Sequence, residues 1–150
     1  MKIVLLDGEA LNPGDLSWAP LEALGELTVY PRGTTDPEEV IRRIGDAEIV
    51  LTNKTPVGRV IFERCPVMKL LCVVATGYNV VDTAAAKDHG VSVCNVPAYG
   101  TEMVAQFAIG LLLEICHHVE LHNQSVHAGE WERCPNFCYW KTPIMELAGK

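Results

Sequence analysis

The feature that most constrains the fold is a regular alternation of short apolar runs with stretches of helical spacing. The apolar runs are continuous in Val, Ile and Leu rather than alternating with polar residues, which is typical of strands covered by helices on both faces. Such an alternation predicts an α/β domain with a doubly wound parallel sheet of about five strands and right-handed crossovers. The predicted strands are residues 2–6, 27–30, 48–52, 70–75 and 91–96, and the predicted helices between them are residues 15–24, 37–44, 58–65 and 81–89.

The residues that bound these stretches are those that helices prefer at their ends. Asp36 followed by Pro37 is typical of an N-cap and a first helical residue. Gly25, Gly45 and Gly90 each follow a helical stretch, where a left-handed C-cap residue is expected. We therefore expect three of the predicted helices to end at these glycines.

Composition and charge narrow the class of protein. Of the 150 residues, 49% are hydrophobic and 21% are charged, which is typical of a globular chain with one domain, or one domain and part of a second. The net charge of −7 argues against binding to nucleic acid or to an acidic membrane surface. The apolar runs fall far short of the ~20 residues that span a bilayer, and the N-terminus lacks a signal-peptide core. Six cysteines without a secretion signal indicate reduced thiols in a cytoplasmic protein.

The C-terminal third departs from the alternation. Residues 101–122 form one long predicted helix, whose apolar positions recur at 3.6-residue spacing and cover more surface than a small sheet can bury. A second domain or a partner subunit is therefore the expected cover. The next segment, residues 123–143, is rich in aromatic side chains and is predicted to be an irregular arm that packs on another surface.

Three segments follow predicted strands, at the edge where open parallel sheets bind ligands. Lys54, after the third strand, offers a positive charge to an anionic ligand; the alternative is a solvated turn lysine. After the fourth strand, Thr76 and Gly77 allow backbone N–H groups to face a carboxylate; the alternative is an ordinary turn with Asn79 as the helix cap. Thr101 is placed to cap the long helix, whose N-terminus also attracts phosphate or carboxylate.

Other patterns that could carry chemistry are incomplete. Cys134, Cys138 and His127 offer thiolate and imidazole groups, but no second pair completes the four ligands that zinc takes, so no metal site is predicted. The chain has no Gly-x-Ser-x-Gly turn around a serine nucleophile. Among its twelve glycines no two are separated by a single residue, so the Gly-x-Gly-x-x-Gly turn that binds a dinucleotide is absent.

Two longer segments carry a family resemblance. One is Ala-Thr-Gly-Tyr-Asn-Val-Val-Asp at residues 75–82. The other is Asn-Val-Pro-Ala-Tyr-Gly-Thr at residues 95–101, followed by Met-Val-Ala-Gln at residues 103–106. With the order of elements, and with the stretches around residues 131–133 and 147–150, they resemble the NAD-dependent D-2-hydroxyacid dehydrogenases. The resemblance covers essentially the whole chain and is greatest to the D-glycerate dehydrogenase, or hydroxypyruvate reductase, branch.

The resemblance implies a particular division of the chain. Residues 1–98 would form a flavodoxin-like substrate domain. Residues 99–150 would form an interdomain helix and a dimerisation arm, at the start of a truncated NAD-binding domain. In the family, the helix matching residues 101–122 crosses between the domains, and the arm matching residues 123–143 forms part of a homodimer interface. A homodimer through these two segments is therefore expected.

The resemblance also implies roles for individual residues. In the family, the backbone amides that match Thr76 and Gly77 hold the carboxylate of the substrate. The position matching Lys54 lies at the active-site cleft, and the threonine matching Thr101 approaches the cofactor. The implied substrate-binding residues are Lys54, Ala75, Thr76, Gly77 and Tyr78, and the implied cofactor-binding residue is Thr101.

The family's remaining catalytic groups do not map onto these 150 residues. Its glycine-rich phosphate turn, substrate-clamping arginine, catalytic histidine and orienting glutamate all follow the segment that matches the end of this chain. The chain is therefore expected to be the N-terminal portion of an enzyme that interconverts a 2-oxo acid and a D-2-hydroxy acid, of the hydroxypyruvate and D-glycerate type, with NAD(H) or NADP(H). By itself it is expected to contain no catalytic residue, to be inactive and to bind no cofactor.

Two other functions remain open at this point. The chain could be a non-catalytic flavodoxin-like module for binding or dimerisation. It could also be a phosphoacceptor receiver domain, since such domains have a similar alternation and an acidic cluster after the first strand, as at Asp7 and Glu9. Receivers also need an aspartate at the end of the third strand, where this chain has Thr52, Asn53 and Lys54.

Overall fold

A computed structural model describes residues 1–150, which divide into two compact units, Met1–Tyr99 and Gly100–Lys150. The first unit contains a five-stranded parallel sheet, so the predicted fold class is confirmed. The strands are β1 (Lys2–Leu5), β2 (Glu26–Val29), β3 (Ile49–Thr52), β4 (Leu70–Val73) and β5 (Ser92–Cys94). The helices of this unit are a 3₁₀ helix at Gly8–Ala10, α1 (Ala19–Glu22), α2 (Pro37–Ile44), α3 (Arg59–Arg64) and α4 (Thr83–Asp88).

The strand order is β2-β1-β3-β4-β5, which is the flavodoxin-like order. Ile3 pairs with Leu27 on one side and with Ile49 on the other, and Ile49 in turn pairs with Leu70. The winding reverses between β1 and β3. In sheets of this kind the crevice beyond the carboxyl ends of the strands at that reversal is where ligands bind.

The sheet is buried most completely at its centre, where both faces of β1 are covered. Val4, Val50 and Leu71 belong to a core shared with the buried faces of α2, α3 and α4, to which Ile44 and Phe62 contribute. Ile3 and Leu5, which alternate with Val4 along β1, are also buried. This burial explains why period-two alternation of apolar and polar residues is missing from the strands.

The helix-end signals are confirmed in three of four cases. The Asp36 side chain accepts a hydrogen bond from a backbone N–H of the first turn of α2, at 3.1 Å. Gly45 and Gly90 have positive φ angles of 54° and 69°, the range that favours glycine after a helix, although the ψ angle of Gly45, −121°, is not that of a left-handed helical residue. Gly25 is not among the glycines with positive φ. A Cβ atom there would lie 2.2 Å from the carbonyl oxygen of Met1, so close approach of the backbone explains this glycine.

The first helix is much shorter than predicted. Residues 15–24 were expected to be helical, but only Ala19–Glu22 are. The side chain of Asn12 accepts hydrogen bonds from the backbone N–H groups of Gly14 and Leu16 and donates one to the carbonyl oxygen of Leu16. These local bonds give the backbone an alternative to the helix, which is the usual effect of asparagine.

The second unit contains three helices: α5 (Thr101–His117), α6 (Val119–His127) and α7 (Glu130–Arg133). The prediction of one helix over residues 101–122 is therefore wrong. The prediction of an irregular arm over residues 123–143 is wrong in its first part, because α6 and α7 extend into it. His118, between α5 and α6, has left-handed φ and ψ angles of 48° and 49°, and the two helices are bent by 64°.

A side chain from α5 explains where α6 begins. The carboxylate oxygens of Glu114 accept a hydrogen bond from the backbone N–H of Glu120 at 3.2 and 3.3 Å. Such a bond satisfies one of the unpaired N–H groups at a helix start. The apolar periodicity continues across His118, so the pattern alone gives no sign of the break.

Much of the apolar surface of α5 is exposed. Met103 and Phe107 are each 69% exposed and Ile115 is 68% exposed. No single helix has the length and hydropathy of a membrane span; α5 and α6 reach that threshold only when taken together, across their bend.

Candidate active site

The candidate site lies at the carboxyl edge of the sheet. Two loops follow the neighbouring strands β3 and β4: the 53–55 loop (Asn53, Lys54 and Thr55) and the 75–78 loop (Ala75, Thr76, Gly77 and Tyr78). The strands that carry them are held together up to this edge, since the backbone N–H of Val74 donates to the carbonyl oxygen of Thr52 at 2.8 Å. The structure therefore brings together the two loops that the sequence singled out in this unit.

The 53–55 loop is folded around the carboxylate of Asp7, which follows β1. Oδ1 of Asp7 accepts a hydrogen bond from the backbone N–H of Asn53 at 2.7 Å. Oδ2 accepts from the backbone N–H groups of Lys54 and Thr55 at 2.6 and 2.8 Å. Asp7 is only 5% exposed. Sequence reasoning noted Asp7 only as an acidic residue after the first strand and missed its contact with this loop.

Lys54 is the cationic residue of the 53–55 loop. Its side chain is exposed, and its ammonium group forms no ion pair in the structure. It lines an open cavity of 720 Å³ together with Arg32, whose guanidinium group is paired with Glu9 at 3.0 Å. Lys54 is thus the cation at this cavity that is free to attract an anionic ligand.

The 75–78 loop is anchored through Thr76. The Thr76 hydroxyl donates to the carbonyl oxygen of Val96 at 3.0 Å, and the side-chain amide of Asn95 donates to the carbonyl oxygen of Thr76 at 2.8 Å. The backbone N–H groups of Thr76, Gly77 and Tyr78 donate to no protein acceptor. These three residues are exposed, so their N–H groups are available to an anion from solution.

Gly77 leaves space beside these N–H groups. Its φ angle is not in the positive range, so the loop conformation does not require glycine. A Cβ atom there would contact only Oδ1 of Asn79, at 3.5 Å, which is an ordinary distance. The feature that glycine contributes here is therefore room for a ligand to approach the backbone.

A second, smaller cavity lies beside the 53–55 loop. It has a volume of 320 Å³ and a mixed polar and apolar lining, with Asn53 from the first loop and Val74, which precedes the second, in its walls. Its other lining residues are Ala10, Leu11, Val96 and Tyr99. A small organic acid fits such a space, which offers both apolar and polar groups.

The remaining sequence candidates lie differently from expectation. The cap of α4 is Asp82, whose carboxylate accepts from the N–H of Ala85 at 2.8 Å, so Asn79 is not the helix cap. Thr101 is the first residue of α5 and Gly100 occupies the N-cap, so the predicted capping position is wrong by one residue. Thr101 belongs to the second unit.

The cysteines form no metal cluster. No group of three or more His, Cys, Asp or Glu side chains lies close enough to hold a metal ion. Cys72 and Cys94, on the neighbouring strands β4 and β5, have their Sγ atoms 3.2 Å apart. Burial, together with the contact to Cys94, raises the pKa of the Cys72 thiol to about 12, so this thiol stays protonated at neutral pH and is a poor nucleophile.

The residues present do not fit a dinucleotide cofactor. Such a cofactor places its pyrophosphate at a helix N-terminus after a glycine-rich turn, where only backbone N–H groups face it. Residues 1–150 contain no Gly-x-Gly-x-x-Gly turn, and α2 and α4 are capped by the carboxylates of Asp36 and Asp82, which repel phosphate. The first turn of α5 carries Glu102. No step of a reaction is therefore assigned to a cofactor held by these residues.

This fold, with the strand order β2-β1-β3-β4-β5, defines a flavodoxin-like α/β domain, and comparison with known proteins gives the family. The family model described as D-isomer specific 2-hydroxyacid dehydrogenase, catalytic domain, matches residues 4–142. The chain therefore belongs to the D-isomer specific 2-hydroxyacid dehydrogenase family, as the sequence motifs predicted.

Individual relatives within this family are similar along the length of the chain. Hydroxypyruvate reductase of Blautia hydrogenotrophica is 62% identical over 151 aligned residues, which cover 100% of this chain and 47% of the relative. Glycerate dehydrogenase of Methylorubrum extorquens is 35% identical, over 99% of this chain and 46% of the relative. The chain thus spans slightly less than half the length of both relatives. The structure of an acyclic imino acid reductase in complex with NADPH and D-Arg matches with a TM-score of 0.69 and 25% identity, over 86% of this chain and 41% of that one.

Proposed function

We propose that the chain is the substrate-binding part of an oxidoreductase that interconverts hydroxypyruvate, or a similar small 2-oxo acid, with the D-2-hydroxy acid, using NAD(H) or NADP(H). The observation that carries the proposal is the 75–78 loop, at the carboxyl end of β4, where the backbone N–H groups of three exposed residues have no protein acceptor. The similarity to hydroxypyruvate reductase and to glycerate dehydrogenase supports the choice of substrate.

In this proposal the substrate carboxylate is the fixed handle. The N–H groups of Thr76, Gly77 and Tyr78 hold it, and Lys54 on the neighbouring loop attracts it with a positive charge. A carboxylate held at two or more points fixes the position of the adjacent 2-carbon, which is the atom that reacts. Such orientation contributes substantially to catalysis even when the protein does no covalent chemistry.

The chemistry beyond substrate orientation is assigned to groups outside these residues. A nicotinamide supplies the hydride in this class of reaction. We assign no catalytic acid or base among residues 1–150, and of these residues we assign only Thr101 to the approach of the cofactor. Residues 1–98 would be the substrate domain, and residues 99–150 the start of the connection to a cofactor domain.

The exposed face of α5 supports a homodimer. Met103, Phe107 and Ile115 are each more than two-thirds exposed, and a contiguous apolar surface of this kind is typical of an interface. We propose that residues 101–122 and the arm at 123–143 form it. Analytical ultracentrifugation tests this: Phe107→Glu should convert a dimer to a monomer, and a wild-type monomer at high concentration would contradict it.

Six free cysteines favour a reducing, cytoplasmic location.

The function is tested with a hybrid enzyme, in which this chain replaces the aligned 47% of the Blautia hydrogenotrophica hydroxypyruvate reductase. We expect the hybrid to oxidise NADH or NADPH with hydroxypyruvate and to bind the non-reducible analogue oxamate. A folded hybrid that binds NADH but reduces no 2-oxo acid would contradict the proposal and favour a non-catalytic binding module. The original reductase is the control.

A further inference from the structure

The function proposed above leaves one buried charged group without a role. Asp7 is 5% exposed, and its carboxylate lies where β1 and β3 end. Besides three backbone N–H groups of the 53–55 loop, Oδ2 accepts the Thr55 hydroxyl at 3.1 Å. A carboxylate held by consecutive backbone N–H groups is bound in the way that loops bind anions from solution.

The hydrogen bonds exclude two roles for this carboxylate. Its oxygens already accept from four donors of the 53–55 loop, so it has little capacity left to contact a ligand. No lysine, arginine or histidine forms an ion pair with it. Asp7 therefore acts neither as a direct ligand contact nor as an ordinary ion-pair partner, and its side-chain hydrogen bonds all come from Thr52 and the 53–55 loop.

A third segment, which contains Gly33, packs against Asp7 and Thr55. Gly33, between β2 and α2, lies so close that a Cβ atom there would be 2.5 Å from Oγ1 of Thr55 and 3.3 Å from Cβ of Asp7. Glycine is thus required by close approach rather than by a left-handed φ. The loops after β1, β2 and β3 are packed on each other at this point, and the 53–55 loop has little freedom to move.

This packing fixes the backbone of Lys54 but leaves its ammonium group free to move. The backbone N–H of Lys54 is held by Asp7 at 2.6 Å, while its ammonium group is unpaired beside the 720 Å³ cavity. A lysine side chain has four rotatable bonds, so ordering it on a ligand is costly in entropy. A fixed backbone lowers that cost because only the side chain remains to be ordered.

We propose that Asp7 is a positioning residue for substrate binding: by occupying the anion-binding turn of the 53–55 loop, it fixes the place from which Lys54 reaches the carboxylate of the 2-oxo acid. The inference rests on the proposed function. It assigns Asp7 an effect on the affinity for the 2-oxo acid and none on the affinity for the cofactor or on the chemical step.

The test is steady-state kinetics of the hybrid enzyme with Asp7→Asn. Asparagine has nearly the same shape but places an NH2 donor against backbone donors, so the loop loses its anchor. We expect the KM for hydroxypyruvate to rise about tenfold, with kcat lowered less than about threefold and the KM for NADH unchanged. Asp46→Asn is the matched control, because Asp46 is an exposed aspartate paired only with Lys2, and it should leave all three constants unchanged.

A second measurement guards against a variant that does not fold. Amide hydrogen exchange at Asn53, Lys54 and Thr55 in the 150-residue chain should quicken at least about tenfold in Asp7→Asn, while the amides of the sheet keep their rates. If Asp7→Asn does not fold, Thr55→Val removes only one donor to the carboxylate and should raise the KM for hydroxypyruvate about threefold.

The outcomes separate this inference from the function beneath it. An unchanged KM for hydroxypyruvate in a folded Asp7→Asn hybrid, or a loss confined to kcat and the amount of active enzyme, would overturn the positioning role alone. An inactive wild-type hybrid would overturn the proposed function, and the role of Asp7 in substrate binding with it.

Discussion

The 53–55 loop and the 75–78 loop follow neighbouring parallel strands, but they differ in whether their backbone N–H groups have a hydrogen-bond acceptor within the protein. Those of the first loop are satisfied by a carboxylate from the chain itself, Asp7. Those of the second have no acceptor in the protein. At the same edge of one sheet, one set of loop N–H groups is thus satisfied internally and the other is open. The comparison teaches that, of these two loops, only the 75–78 loop has backbone N–H groups left to bind an anion from solution.

The largest expected effect comes from placing a carboxylate at the open loop. Gly77→Asp in the hybrid enzyme should lower kcat/KM for hydroxypyruvate about 100-fold, because the new charge repels the substrate carboxylate. Stability should be unchanged, since a Cβ atom at Gly77 makes only an ordinary contact. Val67→Asp adds the same charge at an exposed position before the amino end of β4, on the opposite edge of the sheet, and should have no such effect. An equal loss in both variants would mean that charge alone, not the loop, matters.

The next effect concerns the stability of the satisfied loop. Asp7→Ala removes the acceptor of three backbone N–H groups and should lower the free energy of unfolding by about 3 kcal/mol in urea titrations. At the open loop, Thr76→Val removes a single hydrogen bond to Val96 and should cost about 1 kcal/mol. If the two losses of unfolding free energy were equal, the hydrogen bonds of Asp7 would stabilise the protein no more than the single bond of Thr76 does.

A smaller effect tests the close approach of Gly33. Gly33→Ala should destabilise the protein by about 1–2 kcal/mol because its Cβ would overlap Oγ1 of Thr55. Gly77→Ala, where the space is free, should change stability by less than about 0.5 kcal/mol. In the double variant Gly33→Ala with Thr55→Ala, the loss of unfolding free energy should be about 1 kcal/mol smaller than the sum of the losses in the two single variants. Strictly additive losses of stability would show that the residues at positions 33 and 55 are not in steric contact.

The smallest effect depends on pH and concerns the packing behind the satisfied loop. Hydrogen bonds from Arg42 and then Arg43 hold the pKa of Glu39 at about 2, below its usual 4.5. Arg43 in turn donates to the carbonyl oxygens of Arg32 and Leu6, the residue before Asp7. Because the folded-state pKa is lowered, this stabilisation is fully present above pH 4.5 and is lost as the pH falls towards 2.

Thermal unfolding followed by circular dichroism checks this prediction. Glu39→Gln should lower Tm by about 1–2 °C at pH 7, and its difference from wild type should vanish towards pH 2. Glu22→Gln is the control, because no ion pair involves the Glu22 side chain, and it should behave as wild type throughout. A Glu39→Gln difference that persists undiminished at pH 2 would contradict the expected direction of the pH dependence.

Local signals in the sequence predicted much of the first unit. Continuous apolar strands, the Asp36 cap and the glycines at 45 and 90 depend on neighbouring residues, and all were confirmed. Where the helix and cap signals failed, a side-chain or backbone contact outside those signals decided the conformation, as with Asn12 in the segment before α1. Gly25 approaches the carbonyl oxygen of Met1, and a carboxylate four residues before His118 caps the helix that follows it.

The site divides in the same way. Lys54, Thr76 and Gly77 could be singled out because they follow strands, and strand ends of a parallel sheet meet at one edge. Their roles stay predictions. Asp7 could not be assigned, because its partners lie 46 to 48 residues away in the chain and no spacing rule links them.

The sequence by itself determined the class of fold and the family, and it predicted the edge of the sheet for a ligand site, since these depend on periodicity, on motifs of adjacent residues and on the chirality of parallel crossovers. Only the tertiary structure decided which of the two loops is open. That depends on whether a distant carboxylate reaches the backbone N–H groups, and such a contact exists only once β1 and β3 lie side by side.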